Sequence, residues 1–192
     1  MVSQRMGVVM RKFLVFAFLF LFASPAGAGT LEGVTMPDTM QVGGKSLVLN
    51  GMGLRKKFVV KVYVAGLYLP SKMNSSEKIL AADTERGLDM HFLYDVEKAK
   101  MCKAWYDGLK NNSPAQEAAL KAQFDTLCSY MSDMAEGDKM TFTYVPGQGT
   151  TVSVRGKVKG TIAGKEFADA MFACWIGPNP PGAEFKQGLL GG

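Results

Sequence analysis

Apolar positions along this chain fall into one unbroken run near the start, then into stretches of period two and of period three to four. The run is Phe13–Ala23. Beyond residue 29 the first forty residues read as β-rich, with turn residues around Gly33–Asp38 and at Gly43-Gly44 between short apolar stretches. Ser46–Asn50 reads as a strand, Gly51-Met52-Gly53 as a turn, and Phe58–Leu69 as the longest strand. Alternation in that strand puts Val60, Val62 and Val64 on one face and Val59, Lys61, Tyr63, Ala65 and Leu67 on the other. Residues 70–76 form a loop, Glu77–Ala82 a short helical turn, and Leu88–Tyr94 a further strand.

The period then changes. Asp95 is placed to cap a helix over Val96–Lys110, with Ala99, Cys102, Trp105 and Leu109 at helical spacing. Ser113-Pro114 opens a second helix in which Leu120, Phe124, Leu127, Met131 and Met134 recur before Gly137. Strands follow at Lys139–Tyr144, Thr150–Val154 and Lys157–Ile162, the last two joined through the hairpin turn Arg155-Gly156. A final helix over Lys165–Trp175 buries Phe167, Ala168, Met171, Phe172 and Trp175, and a Pro- and Gly-rich tail after Gly177-Pro178 reads as a surface segment wrapping the domain. Strands, a helix pair, strands and a helix argue for an α+β fold, a mainly antiparallel sheet with helices on one face. No internal repeat and no second domain is visible, so 29–192 reads as a single domain.

Residues 1–28 have the three parts of a secretory signal. Arg5, Arg11 and Lys12 precede the apolar run, Ser24-Pro25 breaks it, and Ala26-Gly27-Ala28 supplies small residues for cleavage. The run has 11 residues, short of the roughly 20 that a spanning helix needs. The expectation is cleavage after Ala28, a periplasmic or secreted product, and no stable membrane insertion afterwards. The three cations of the segment also account for most of the formal charge of +5, leaving +2 for residues 29–192. That is too little for a phosphate-binding stripe, which excludes nucleic acid as a leading partner. In an oxidising compartment Cys102, Cys128 and Cys174 allow one disulfide and one free thiol; Cys102–Cys128 is the best guess, since both lie on adjacent predicted helices. Their spacing fits no zinc pattern, and one histidine, His91, adds little, so no metal is expected.

Familiar catalytic signatures are missing. There is no Gly-x-Ser-x-Gly elbow and no phosphate-binding loop, and Gly51-x-Gly53 and Gly147-x-Gly149 lack the rest of a dinucleotide fingerprint. One constellation is chemically pointed. Arg55 follows a glycine pair and Tyr63 lies on the mixed face of the long strand. A guanidinium takes a carboxylate or phenolate through two parallel hydrogen bonds, and a phenol adds a third. Lys61 adds positive potential beside Tyr63 or simply extends to solvent. The plain alternative is that Arg55-Lys56-Lys57 is a solvated turn and Tyr63 an edge residue.

Three stretches, Val48–Pro70, Tyr144–Gly156 and Ile162–Pro178, resemble the chalcone isomerase-like superfamily, closest to its bacterial, signal-bearing branch. The likeness runs in order through nearly all of residues 30–190. It implies the open-faced β-sandwich of that superfamily, a large antiparallel sheet with a layer of helices against it. In plant chalcone isomerases the arginine matching Arg55 stabilises negative charge while a phenolate oxygen adds to an enone, with no cofactor. Tyr63 replaces a threonine of that site, and Cys174-Trp175 replace a threonine-methionine pair, so bulky rings stand where a flavonoid ring would lie. The fatty-acid-binding members keep an arginine and a tyrosine at the positions of Arg55 and Tyr63, where they hold a carboxylate.

The leading expectation is an exported, non-catalytic binder of a small amphiphilic carboxylate such as a fatty acid. Arg55 would clamp the head group, Tyr63 and Lys61 would assist, and Cys174 and Trp175 would line the site. An isomerase or intramolecular lyase acting on a flavonoid-like enone, with Arg55 as electrophile, is the enzymatic alternative. An envelope scaffold with its cleft filled by Tyr63 and Trp175 is the third. None of the three implies a cofactor, and no protein partner is specified.

Overall fold

The computed structural model describes residues 29–192; the expected signal segment lies outside them. A short hairpin, β1 (Gly29–Leu31) and β2 (Val34–Met36), precedes the main sheet. That sheet has seven strands in simple sequence order, all antiparallel. They are β3 (Thr39–Val42), β4 (Lys45–Lys57), β5 (Val60–Leu69), β6 (Arg86–Phe92), β7 (Lys139–Val145), β8 (Gly149–Val154) and β9 (Lys157–Ile162). The helices are α1 (Ser76–Ala81), α2 (Lys98–Asn112), α3 (Glu117–Tyr130), α4 (Lys165–Ile176) and α5 (Ala183–Leu189). The sheet curls on itself: a Cβ added to Gly87 of β6 would meet Met40 of β3 at 2.5 Å, and one added to Gly43 would meet Val145 of β7 at 2.9 Å.

Curling gives the sheet two unequal sides. The enclosed side, with the β1–β2 hairpin, holds a small core of Met36, Val42, Leu47, Leu49, Val64 and Tyr68. The other side carries the helices and the main core. Helix α4 is central to it. Nine of its residues are buried, from Phe167 to Ile176, which is what a helix apolar on nearly every side requires. Arg86 of β6, only 1% exposed, ties this layer to the sheet. Its guanidinium donates to the Ile79 carbonyl at 3.0 Å, pairs with Asp169 of α4, and lies 4.9 Å and 5.1 Å from the Tyr144 and Phe172 ring centres. The sheet, the helix layer and both cores close within residues 29–192, so this segment has what it needs to fold by itself.

Several expectations hold and several change. Arg155-Gly156 is the β8–β9 turn, both residues having positive φ, as a two-residue hairpin of this hand demands. Asp95 does not cap α2: Glu97 holds that position, and the Asp95 carboxylate accepts from the Glu136 amide at 2.8 Å. Helix α3 stops at Tyr130, so Met131 and Met134 fill the core from the following loop. Cys102 and Cys128 do come together between α2 and α3, but as free thiols, with the Cys102 thiol directed at the Cys128 carbonyl.

The largest correction concerns Gly51 and Gly53. They do not turn the chain; β4 runs straight through them, and the turn falls at Phe58-Val59. The tail explains why glycine is needed there. Helix α5 lies against β4, burying Phe185 and Leu189, and its backbone comes so close that a Cβ on Gly51 would stand 2.1 Å from the Gly188 oxygen. On Gly53 it would stand 2.4 Å from the Phe185 oxygen. Asn50, the extra residue of a β-bulge, completes the attachment. Its amide donates to the Leu189 carbonyl at 2.8 Å and to the Met73 carbonyl at 2.9 Å, and its oxygen accepts from the Met73 amide at 2.7 Å. Replacing Gly53 by Ala should destabilise the protein by about 1–3 kcal/mol, read from the urea midpoint. An unchanged midpoint would mean that α5 does not pack on this strand.

Candidate functional site

The β4–β5 hairpin and the adjoining end of β6 face helix α2 across a cleft of about 610 Å³. Its floor is the C-terminal end of α4, where Cys174 and Trp175 reach the surface of the core. Arg55, Tyr63, Cys174 and Trp175, four of the five residues singled out in the sequence, all line it. Met90, Phe92 and Trp105 are part of its apolar wall. Lys57, Phe58, Tyr94, Lys100 and Lys103 stand toward the mouth.

Register brings Arg55 and Tyr63 together. They are directly opposed on adjacent antiparallel strands, an arrangement that puts two side chains on one face with Cβ atoms about 5 Å apart. Past this pair the ladder slips. Lys56 opposes Lys61, so Val62 is an extra residue on β5. The bulge turns Val60 and Val62 into the cleft beside Tyr63 and breaks the simple alternation expected of this strand. Lys61 is not brought to the cleft: its ammonium pairs with Glu32 of the β1–β2 turn at 2.6 Å.

Tyr63 is held from three directions. Its ring meets Phe92 at 5.8 Å and Phe185 of α5, edge-on, at 5.7 Å. The Trp175 indole N–H donates to its oxygen at 3.3 Å. Trp175 itself is 1% exposed, packed against Trp105 at 5.3 Å and Phe142 at 5.4 Å, so the indole cannot swing away without opening the core. Loss of water around the phenol pushes its pKa from 10.0 up to about 12; the Trp175 hydrogen bond and the Arg55 charge oppose that rise and do not cancel it. At neutral pH Tyr63 is therefore an undissociated phenol. Its oxygen is already accepting from Trp175, which leaves its own proton free to donate.

The remaining lining groups offer little reactivity. Burial pushes the Cys174 thiol up to about 12, and it donates to the Ala170 carbonyl at 3.4 Å, packed where a Cβ on Gly108 of α2 would meet it at 2.6 Å. It is a contact between helices, not a thiolate. Asp107 at the mouth is paired with Lys103 at 2.6 Å. His91 lies outside the lining and bonds to Asp89 at 2.9 Å. Among the described residues no group of three or more metal-ligating side chains converges, and no helix is long and apolar enough to cross a membrane. The arrangement can receive an anionic head group and an apolar tail.

A family model described as chalcone isomerase-like matches residues 28–191. The chain belongs to the chalcone isomerase-like family. Among solved structures, a fatty-acid binding protein from Arabidopsis thaliana is similar, with a TM-score of 0.66 and 16% sequence identity. The match covers 82% of this chain and 92% of that one, and at this identity it establishes the common fold. A search of curated proteins finds no match. Membership in the family agrees with the curled antiparallel sheet and one-sided helix layer described above.

The sign of the Tyr63 shift yields a titration prediction. A phenol whose pKa is higher folded than unfolded contributes stability that is present below 10.0 and lost as pH rises through about 12. The parent and the Tyr63→Phe variant should therefore show the same phenolate absorbance up to pH 10 and diverge only near 12. Divergence at or below pH 10 would mean that the hydroxyl is hydrated.

Proposed function

We propose that this protein binds a small amphiphilic carboxylate such as a fatty acid, without turning it over. Arg55 forms the ion pair and Tyr63 donates the neighbouring hydrogen bond. The observation that carries this reading is the Trp175 N–H on the Tyr63 oxygen, which leaves the phenol's one proton free to donate to whatever shares the face with Arg55. A carboxylate offers acceptors to both groups and leaves no polar atom against the apolar wall. The cleft volume falls in the range of small-molecule sites, which also argues against a scaffold whose cleft is filled by its own side chains. The fatty-acid binding protein of similar fold supports the same ligand class.

Cyclisation of a flavonoid-like enone is the weaker reading. Trp175 and Tyr63 occupy the floor with their polar atoms joined to each other, and the two carboxylates of the lining, Asp95 and Asp107, are engaged by the Glu136 amide and Lys103. Export of the protein with removal of residues 1–28 completes the proposal. N-terminal sequencing of the protein recovered from a periplasmic fraction should begin at Gly29.

Mass spectrometry of small molecules extracted from protein purified under native conditions checks the ligand class. A near-stoichiometric organic acid is expected in the parent. The Arg55→Ala variant should lose it and bind added fatty acid at least about tenfold more weakly, the loss expected for a charge-assisted pair, with an unchanged melting temperature. Equal affinity in parent and variant would overturn the assignment of the head group to Arg55. Arg55-dependent ring closure of a chalcone well above the spontaneous rate would instead make it an enzyme.

A further inference from the structure

The most exposed apolar residues of the described chain sit together. Phe58 and Val59, the two residues of the β4–β5 turn, are 92% and 93% exposed. Scattered surface hydrophobes are ordinary, but two adjacent ones at a protruding tip are not covered by anything in the fold. Phe58 is anomalous in its backbone as well. Its φ is 56°, the left-handed region where a bulky side chain is strained, and the first position of a two-residue hairpin turn with positive φ is where glycine is normally found. Sequence and conformation thus conflict at this point twice over, in solvation and in strain. Such conflicts concentrate where a residue serves something other than folding.

The surroundings of the tip specify the partner. Arg55, Lys56 and Lys57 lead directly into it, and among the described residues none of the three forms an ion pair. Lys100 and Lys103 of α2 stand across the cleft mouth but are paired with Glu97 at 2.5 Å and Asp107 at 2.6 Å, so the unpaired cations are those of the hairpin; Tyr94, 55% exposed, lies at the same rim. A convex apolar point backed by cations, with an amphipathic phenol ring at the same rim, has the chemistry that enters the interface of a negatively charged bilayer. It is a projection and not a groove, so it fits a deformable lipid surface.

We propose that the Phe58-Val59 tip docks the protein on membranes containing anionic phospholipid, with the cleft mouth against the headgroups. Phe58 and Lys57 belong to both the tip and the cleft lining. Docking therefore brings the cleft to the depth at which an amphiphilic acid resides in a bilayer. The step from membrane to Arg55 then needs no passage of the apolar tail through water. Lipid docking stands on the tip and its cations alone; only the delivery of an acid rests on the ligand reading given above.

The test uses residues 29–192, delipidated and with no acid added, so that its result is independent of what the cleft holds. Flotation with vesicles of phosphatidylcholine containing about one third phosphatidylglycerol should carry the protein, and pure phosphatidylcholine vesicles should carry much less. Raising salt from about 0.1 M to 1 M should release it. The variant Phe58→Gly/Val59→Ser suits the turn better than the parent sequence, so its melting temperature should not fall. Its partition onto the anionic vesicles should fall by about tenfold or more, two apolar side chains having been removed. A second variant, Lys56→Ser/Lys57→Ser, should bind less and lose much of its salt dependence. Equal partition of the parent and Phe58→Gly/Val59→Ser, or no flotation of the parent, would overturn the proposal. So would a concentration-dependent dimer in the absence of lipid that the tip variant abolishes, because a second copy would then be what covers the tip.

Discussion

The hydrogen bond from the Trp175 indole to the Tyr63 oxygen fixes the character of the cleft. Trp175 is locked into the core by Trp105, Phe142 and Phe172, so its N–H is a fixed donor at the end of α4. That donor occupies the phenol oxygen, and burial keeps the phenol protonated to about 12. Tyr63 consequently keeps a proton to donate toward the cleft at any ordinary pH. Arg55 beside it is likewise a donor and never an acceptor. Two donors on one face and apolar walls elsewhere set the complement: a compact anion with an apolar body.

Everything that positions this pair is a packing decision made further away. Helix α5 presses Phe185 onto the edge of Tyr63, and it can do so only because Gly51 and Gly53 let its backbone touch β4. The bulge at Val62 flips the strand so that Lys61 leaves the cleft and two valines enter it. Without the slip an ammonium would share the face with Tyr63, and the wall would be wetter. Cys174 against Gly108 sets how closely α2 approaches α4, and with it the height of the roof. The site is small, but its geometry draws on the whole helix side of the sheet.

Much of this could be read from the residues. Period-two and period-four stretches give five of the seven sheet strands closely and the first part of β4, the helices α1 to α4, and the Arg155-Gly156 turn. Arg55 and Tyr63 stand out because a cation and a phenol interrupt an apolar strand pattern, and the resemblance to fatty-acid-binding proteins joins them. What failed has a common cause. Glycine pairs ordinarily mark turns, and Gly51-Met52-Gly53 reads as one, whereas a glycine required by the approach of a distant backbone has the same local signature. The true turn, Phe58-Val59, contains no Gly, Asn, Asp or Pro and carries no turn signal at all. Helix α5 was hidden by its proline- and glycine-rich approach, although Phe185 and Leu189 stand four residues apart, as a buried helical stripe requires. Val62 as an extra residue is invisible to alternation, since a bulge leaves no mark in composition.

Head-group recognition by a guanidinium on the cleft face together with a phenol anchored to the core through Trp175 is the central claim. A crystal structure of residues 29–192 with a saturated fatty acid tests it most directly. The carboxylate should lie within hydrogen-bond distance of both the Arg55 guanidinium and the Tyr63 hydroxyl, with the Trp175–Tyr63 bond intact and the tail along Met90, Phe92 and Trp105. A bound acid with its carboxylate at the lysines of the mouth and its tail against Tyr63 would contradict it.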